Sequence, residues 1–166
     1  MKLSPLAPFI VGIDPGKHTG VAFWRRDTEK IYFSGEKDFY SVQLFLVRSF
    51  PDNRNKPGTD RKNHKALVKI FIERPNKMLY DRNTSAIRKE ELAIMFSCGG
   101  NRREAELLAL CLAARGFDVQ MLPPILETKW TQEKFTLFTG SRKRTSEHER
   151  DAVRFAITHA NWRPKY

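Results

Sequence analysis

The chain has 166 residues, is 40% hydrophobic and holds 12 Phe and 3 Trp, which is enough apolar mass for a buried core and too much for a disordered chain. Thirty Lys and Arg against 19 Asp and Glu leave a formal charge of +11. That surplus points to a polyanionic partner, nucleic acid foremost, because counterion release drives such binding. Cys98 and Cys111, the 2 cysteines, form neither a zinc motif nor a disulfide framework. No apolar run approaches a membrane span, and the proline-broken N-terminus lacks a signal-peptide core. The expectation is one soluble, intracellular (cytoplasmic) domain spanning 1–166.

Residues 8–14, 20–25 and 30–35 read as three short strands, parted by "PGKHTG" and "RDTEK". A helix follows at 38–49, with Phe39, Val42, Leu46 and Phe50 on one stripe. Residues 51–65, "PDNRNKPGTDRKNHK", are basic and broken by Pro and Gly, a loop long enough to suggest binding. A fourth strand is expected at 67–73. Two helices are expected at 84–97 and 102–115, divided by "CGGN", with Asn101 as N-cap and Gly116 as C-cap. The fifth strand falls at 117–122 and a further helix near 128–138. The last helix starts at Ser146, where Ser146-x-x-Glu149 has the form of a capping box, and runs to about His159.

Two strands end in an acid. "FIVGID" closes on Asp14 ahead of Pro-Gly, and "KIFIE" closes on Glu73 ahead of Arg-Pro. Each acid has a plain local explanation: Asp14 opens a turn, and Glu73 pairs with Arg74. Together they ask for more, because ligand sites in α/β sheets gather beyond the carboxyl ends of strands where strand order reverses. Two neighbouring carboxylates repel unless one is protonated or a cation sits between them, and hard oxygen donors suit magnesium or manganese. "SEHERDAVRFAITHA" adds His148 and Asp151, i and i+3 on one helix face, ahead of apolar residues that would anchor the helix on the sheet. Glu147 and Glu149 fall to either side of His148 and are expected to matter less.

In that order, "GIDPGKHTGVAF", "FIERP" and "HERDAVRFAITHA" resemble the motifs of RuvC-type Holliday-junction resolvases, within the RNase H-like nuclease superfamily. The resemblance covers nearly the whole chain. It implies an α/β RNase H-like fold, with a five-stranded mixed sheet in the order 3-2-1-4-5 and helices on both faces. It also implies a homodimer that resolves four-way DNA junctions by paired nicks leaving 5′-phosphates, with two magnesium or manganese ions per site and no small-molecule cofactor or membrane partner. Asp14 would then bridge the metals, Glu73 would join it from the neighbouring strand, and His148 and Asp151 would be the helix-borne ligands; all four are the catalytic candidates.

Two features depart from the family. Bacterial members carry an aromatic wedge three residues after the second acid; that position is Asn76 here, with Tyr80 or Met78 as the substitute. The 51–65 loop is longer than the family's. Both suit a divergent member, and phage or organellar origin stays open. Candidate DNA contacts are Lys129, Arg142, Lys143 and Arg144, with Asn76 and Tyr80 at the wedge. His18 and His159 carry no expected role.

Among the rivals, the "DPGKHTG" turn is like the phosphate loop of actin-like kinases, which need two such domains. A Walker A reading fails because Val11 stands where its first glycine belongs. An RNase H-like nuclease of ribosomal RNA precursors and a non-catalytic nucleic-acid-binding module remain as alternatives.

Overall fold

The computed structural model describes residues 7–51, 64–75, 89–125 and 128–160; for residues 64, 66 and 89–98 it describes the backbone alone. Strand β1 is Phe9–Asp14, β2 Thr19–Arg25 and β3 Lys30–Lys37, followed by helix α1, Phe39–Ser49. A 3-10 turn at His64–Leu67 leads into β4, Val68–Glu73. Helix α2, Lys89–Ala114, precedes β5, Asp118–Leu122. Helices α3, Gln132–Thr139, and α4, Glu147–His159, complete the order.

The five strands form one sheet ordered β3-β2-β1-β4-β5. β1 pairs antiparallel with β2, and β2 with β3, through short connections; β1–β4 and β4–β5 are parallel, reached through crossovers. β1 and β4 are apolar on both faces because both faces are covered. Val11, Ile13, Val21, Ile70 and Ile72 pack with Val42 and Leu46 of α1 and Ala105, Leu108 and Leu112 of α2. Ile10, Ala22, Trp24 and Phe71 pack on the other face with Phe135 of α3 and Ala152, Phe155 and Ala156 of α4.

The two-residue strand period assigns the acids to one layer. Asp14 follows Ile10 and Gly12, and Glu73 follows Phe71, so both acids stand on the α4 face. The β1–β4 register pairs Ile13 with Ile72, and Asp14 and Glu73 are the next step along it. The expected sheet order and the paired strand-terminal acids are thus both present.

The expected helix pair at 84–97 and 102–115 is instead one 26-residue helix from Lys89 to Ala114. "CGGN" reads locally as a breaker, but glycine costs a helix interior only about 1 kcal/mol each and leaves the backbone N–H ladder complete. No proline interrupts it, and Ala105, Leu108 and Leu112 hold its C-terminal half to the sheet. Asn101 is therefore an interior helical residue and not an N-cap. The expected stop at Gly116 is met: it takes φ +85 and its N–H bonds the Ala113 carbonyl at 2.8 Å.

Gly12 and Gly20 let α4 lie flat on the sheet. A Cβ on Gly12 would overlap the Ala152 carbonyl, and one on Gly20 the carbonyl of His148. Both obstacles are backbone, so relief requires the helix to move. Gly20→Ala is expected to cost about 1–3 kcal/mol or more. Gly99→Ala, whose Cβ meets open space within α2, is expected to gain about 0.5–1 kcal/mol from helix propensity. Urea-unfolding midpoints of the two variants check this, and an unchanged midpoint for Gly20→Ala would show that α4 is not pressed on β2.

Candidate active site

α4 delivers its side chains to the end of β1 through a well-formed N-terminus. Ser146 is the N-cap, its hydroxyl accepting from the Glu149 N–H at 3.1 Å. The reciprocal half of a capping box is not made. The Glu149 carboxylate is buried, accepts from Ser34 Oγ of β3 at 2.6 Å, and is bound by Lys143 Nζ at 3.1 and 3.3 Å. Lys143 also reaches the Ser34 carbonyl at 3.4 Å. This link pins the loop before α4, and the first turn of α4, to β3. Glu149 is accordingly a buried structural residue.

The first turn of α4 places His148 over Asp14, with His148 Nδ1 and Asp14 Oδ2 2.8 Å apart. The imidazole pKa is raised, first by that hydrogen bond and then by the charges of Asp14, Glu36 and Glu147, against a half-buried setting that lowers it. One turn on, Asp151 is 5% exposed and its pKa is raised by burial. Two cations oppose that shift, Arg154 Nη2 at 3.4 Å from Oδ1 and Lys129 Nζ at 3.5 Å from Oδ2. Lys129 also forms an ion pair with Glu147, which lifts its own pKa and depresses that of Glu147.

Glu73 is pushed up to about 7, chiefly by burial, then by the charges of Asp14 and Asp151. Its simple explanation as a partner of Arg74 does not hold, because Arg74 lies 3.9 Å from Glu106 instead. Three carboxylates from β1, β4 and α4 thus share one region at the sheet's switch point, where the charge of Asp14 disfavours ionisation of Glu73 and Asp151, and that of Asp151 disfavours ionisation of Glu73.

Among the described residues, no group of three or more His, Cys, Asp or Glu is arranged to hold a metal ion. Lys129 and Arg154 are the cations that flank Asp151. The donor chemistry nevertheless fits a hard divalent ion. Asp151 Oδ1 is buried without a hydrogen bond, and on Glu73 burial and the charges of Asp14 and Asp151 outweigh the compensation from Arg154 and Lys129.

The sequence-predicted residues divide clearly. Asp14, Glu73, His148 and Asp151 are brought together, and Lys129 joins them. Arg142, Lys143 and Arg144 are all exposed, and of the three Lys143 is tied to Glu149 through its Nζ. Asn76, Met78, Tyr80, residues 52–63 of the basic loop, and the side chains of Leu92, Ile94, Met95, Phe96 and Cys98 lie outside the described residues. Arg154, buried at 4% exposure beneath Asp151, was not singled out by sequence; its signal is an arginine inside an apolar helical run. From sequence Asn101 is expected as a helix N-cap and not near the site; its placement depends on α2 being continuous.

No protein-family model and no curated protein matches the sequence. In fold, the chain is similar to a solved structure, T. thermophilus RuvC in complex with Holliday junction substrate, with a TM-score of 0.51, 17% identity and 92% of each chain covered. The fold is RuvC-like. The β3-β2-β1-β4-β5 order with helices on both faces is that RNase H-like architecture, and it extends over almost the whole chain.

Proposed function

We propose that this chain is a metal-dependent endonuclease of branched DNA that resolves four-way junctions by paired nicks. One observation carries the reading: acids from the adjacent ends of parallel strands β1 and β4 meet Asp151 of α4 in one mutually coupled cluster. Its setting in a fold shared with a RuvC solved on a Holliday junction supports the choice of substrate.

In this reading Asp14, Glu73, Asp151 and His148 hold two magnesium or manganese ions. When bound, such ions make water nucleophilic at neutral pH and stabilise the departing 3′ oxygen, leaving 5′-phosphates. The chain's own groups prepare that step. His148 fixes the Asp14 carboxylate, Arg154 compensates Asp151 from below, and Lys129 holds Glu147 and Asp151 from the solvent side. Lys129, Arg142 and Arg144 supply phosphate contacts, the Lys143–Glu149 link sets the loop that carries the two arginines, and in sequence the family's wedge position is Asn76, with Tyr80 or Met78 as the substitute.

A four-way junction is nearly two-fold and needs two opposed cuts, which favours a two-fold dimer. Exposed Leu107 and Leu110 of α2, beside a recess of about 400 Å³ that reaches Val119 and Met121 of β5, form the surface proposed to pair.

The experiment is a cleavage gel with four-way junction, flap, linear duplex and single-stranded RNA substrates, with magnesium or with EDTA. Symmetric nicks in the junction, dependent on magnesium and bearing 5′-phosphates, are expected. Cleavage confined to RNA, or junction binding without cleavage in magnesium and manganese alike, overturns the reading.

A further inference from the structure

Asn101 belongs to α2, on the sheet face opposite α4, yet its carboxamide reaches the strand end that carries Asp14. A Cβ built on Gly16, two residues past Asp14, would stand 3.6 Å from His148 Cε1 and 3.8 Å from Asn101 Nδ2. Asn101 and His148 thus flank one turn from two different layers. That turn is itself rigid, with Pro15 and Gly16 buried and Thr19 Oγ1 donating to the Gly16 carbonyl at 3.0 Å.

The Asn101 side chain is half-buried and makes no hydrogen bond among the described residues. A carboxamide offers two N–H donors and an acceptor, and withholding them from a partner is costly once water is partly excluded. Two donors beside the acids already have acid partners: Lys129 is bound to Glu147 and Asp151, and His148 to Asp14. A phosphodiester approaching three carboxylates therefore finds in Asn101 a neutral donor with no acid attached. The two residues before it, Gly99 and Gly100, carry no side chain, and a Cβ at either would meet open space.

We propose that Asn101 is a substrate-positioning residue: its Nδ2–H donates to a non-bridging phosphate oxygen of the nucleic-acid strand that passes over the Gly16 turn beside His148. This rests on the nuclease reading and adds a phosphate donor from the α2 layer, so the strand is gripped from both faces of the sheet. Neither a broken internal hydrogen bond nor a packing defect follows from changing Asn101. The effect belongs to substrate.

The test uses the full chain and its Asn101→Asp, Asn101→Leu and Asn101→Gln variants. Junction cleavage in magnesium gives kcat and KM, junction binding in calcium gives Kd, and thermal melting reports stability. Asn101→Asp places a carboxylate against the phosphate and is expected to raise KM and Kd about 10–100-fold, the scale on which a hydrogen bond to a charged group contributes to binding. Asn101→Leu is expected to raise them several-fold, Asn101→Gln to recover part of the affinity, and none to change melting appreciably. Unchanged KM and Kd in Asn101→Asp overturn the proposal. So does a fall in kcat and melting temperature at constant KM, which would make Asn101 a support for the Gly16 turn. If the wild type cleaves no nucleic acid, the nuclease reading fails, and the Kd ratio between wild type and Asn101→Asp decides the phosphate interaction on its own.

Discussion

Asp14→Asn is expected to abolish magnesium-dependent cleavage, by on the order of 10²–10³-fold or more, while leaving junction binding intact or slightly tighter. The substitution keeps the shape of the side chain, and an asparagine oxygen can still accept from His148 Nδ1, now 2.8 Å from Asp14 Oδ2. What it removes is a hard anionic donor at the centre of the acid cluster, the group a divalent ion needs most. Binding is carried by basic residues, through phosphate contacts and counterion release, and one fewer negative charge near the strand lowers repulsion. Rates from single-turnover cleavage and affinities measured in calcium separate the two quantities. Normal cleavage by Asp14→Asn would return Asp14 to a turn residue that opens Asp-Pro-Gly, and the nuclease reading would lose its central ligand.

What the sequence made legible was whatever local periodicity encodes. An apolar run ended by an acid is visible without a partner, and it occurs twice, so Asp14 and Glu73 stand out before any sheet order is known. Ser146 and the His-x-x-Asp spacing of α4 are likewise local, as is the demand for positive φ at Gly116. What stayed hidden depends on distant partners. Glu149 fits a capping box by spacing, but Ser34, 115 residues away, claims its carboxylate. Lys143 reads as a phosphate contact and closes on that same buried acid. Gly99-Gly100 reads as a break, and only packing of the later turns on the sheet shows that the helix continues. That break concealed Asn101, because a cap and an interior residue of a through-going helix point to different places. Gly12 and Gly20 look like ordinary strand glycines until α4 is laid across them.

Glu73→Gln is expected to remove cleavage and, in EDTA, to make the protein more stable at pH 8. The folded state holds the Glu73 pKa at about 7 against an ordinary 4.5. A raised carboxyl pKa means the folded state prefers the proton. The associated stability is therefore full below about pH 4.5 and lost as pH rises through about 7. At pH 8 the wild type carries a poorly solvated charge facing Asp14 and Asp151, which glutamine lacks. Because the group is partly open to solvent, screening reduces the gain to on the order of 1–2 kcal/mol, about 2–8 °C in melting temperature for a chain of this size. At pH 5 the wild-type carboxyl is protonated and close to glutamine in shape and charge, so the two proteins should melt together. Magnesium should reverse the order at pH 8, since an ion that binds only the folded wild type adds stability in proportion to its occupancy, whereas Glu73→Gln has one ligand fewer. Melting curves at pH 5 and pH 8, each with EDTA and with magnesium, check all four corners. A Glu73→Gln protein less stable than wild type at pH 8 in EDTA would mean that Glu73 is held by favourable contacts and is a structural acid. A stability gain together with the loss of cleavage would mark a site kept under electrostatic strain until a cation enters it.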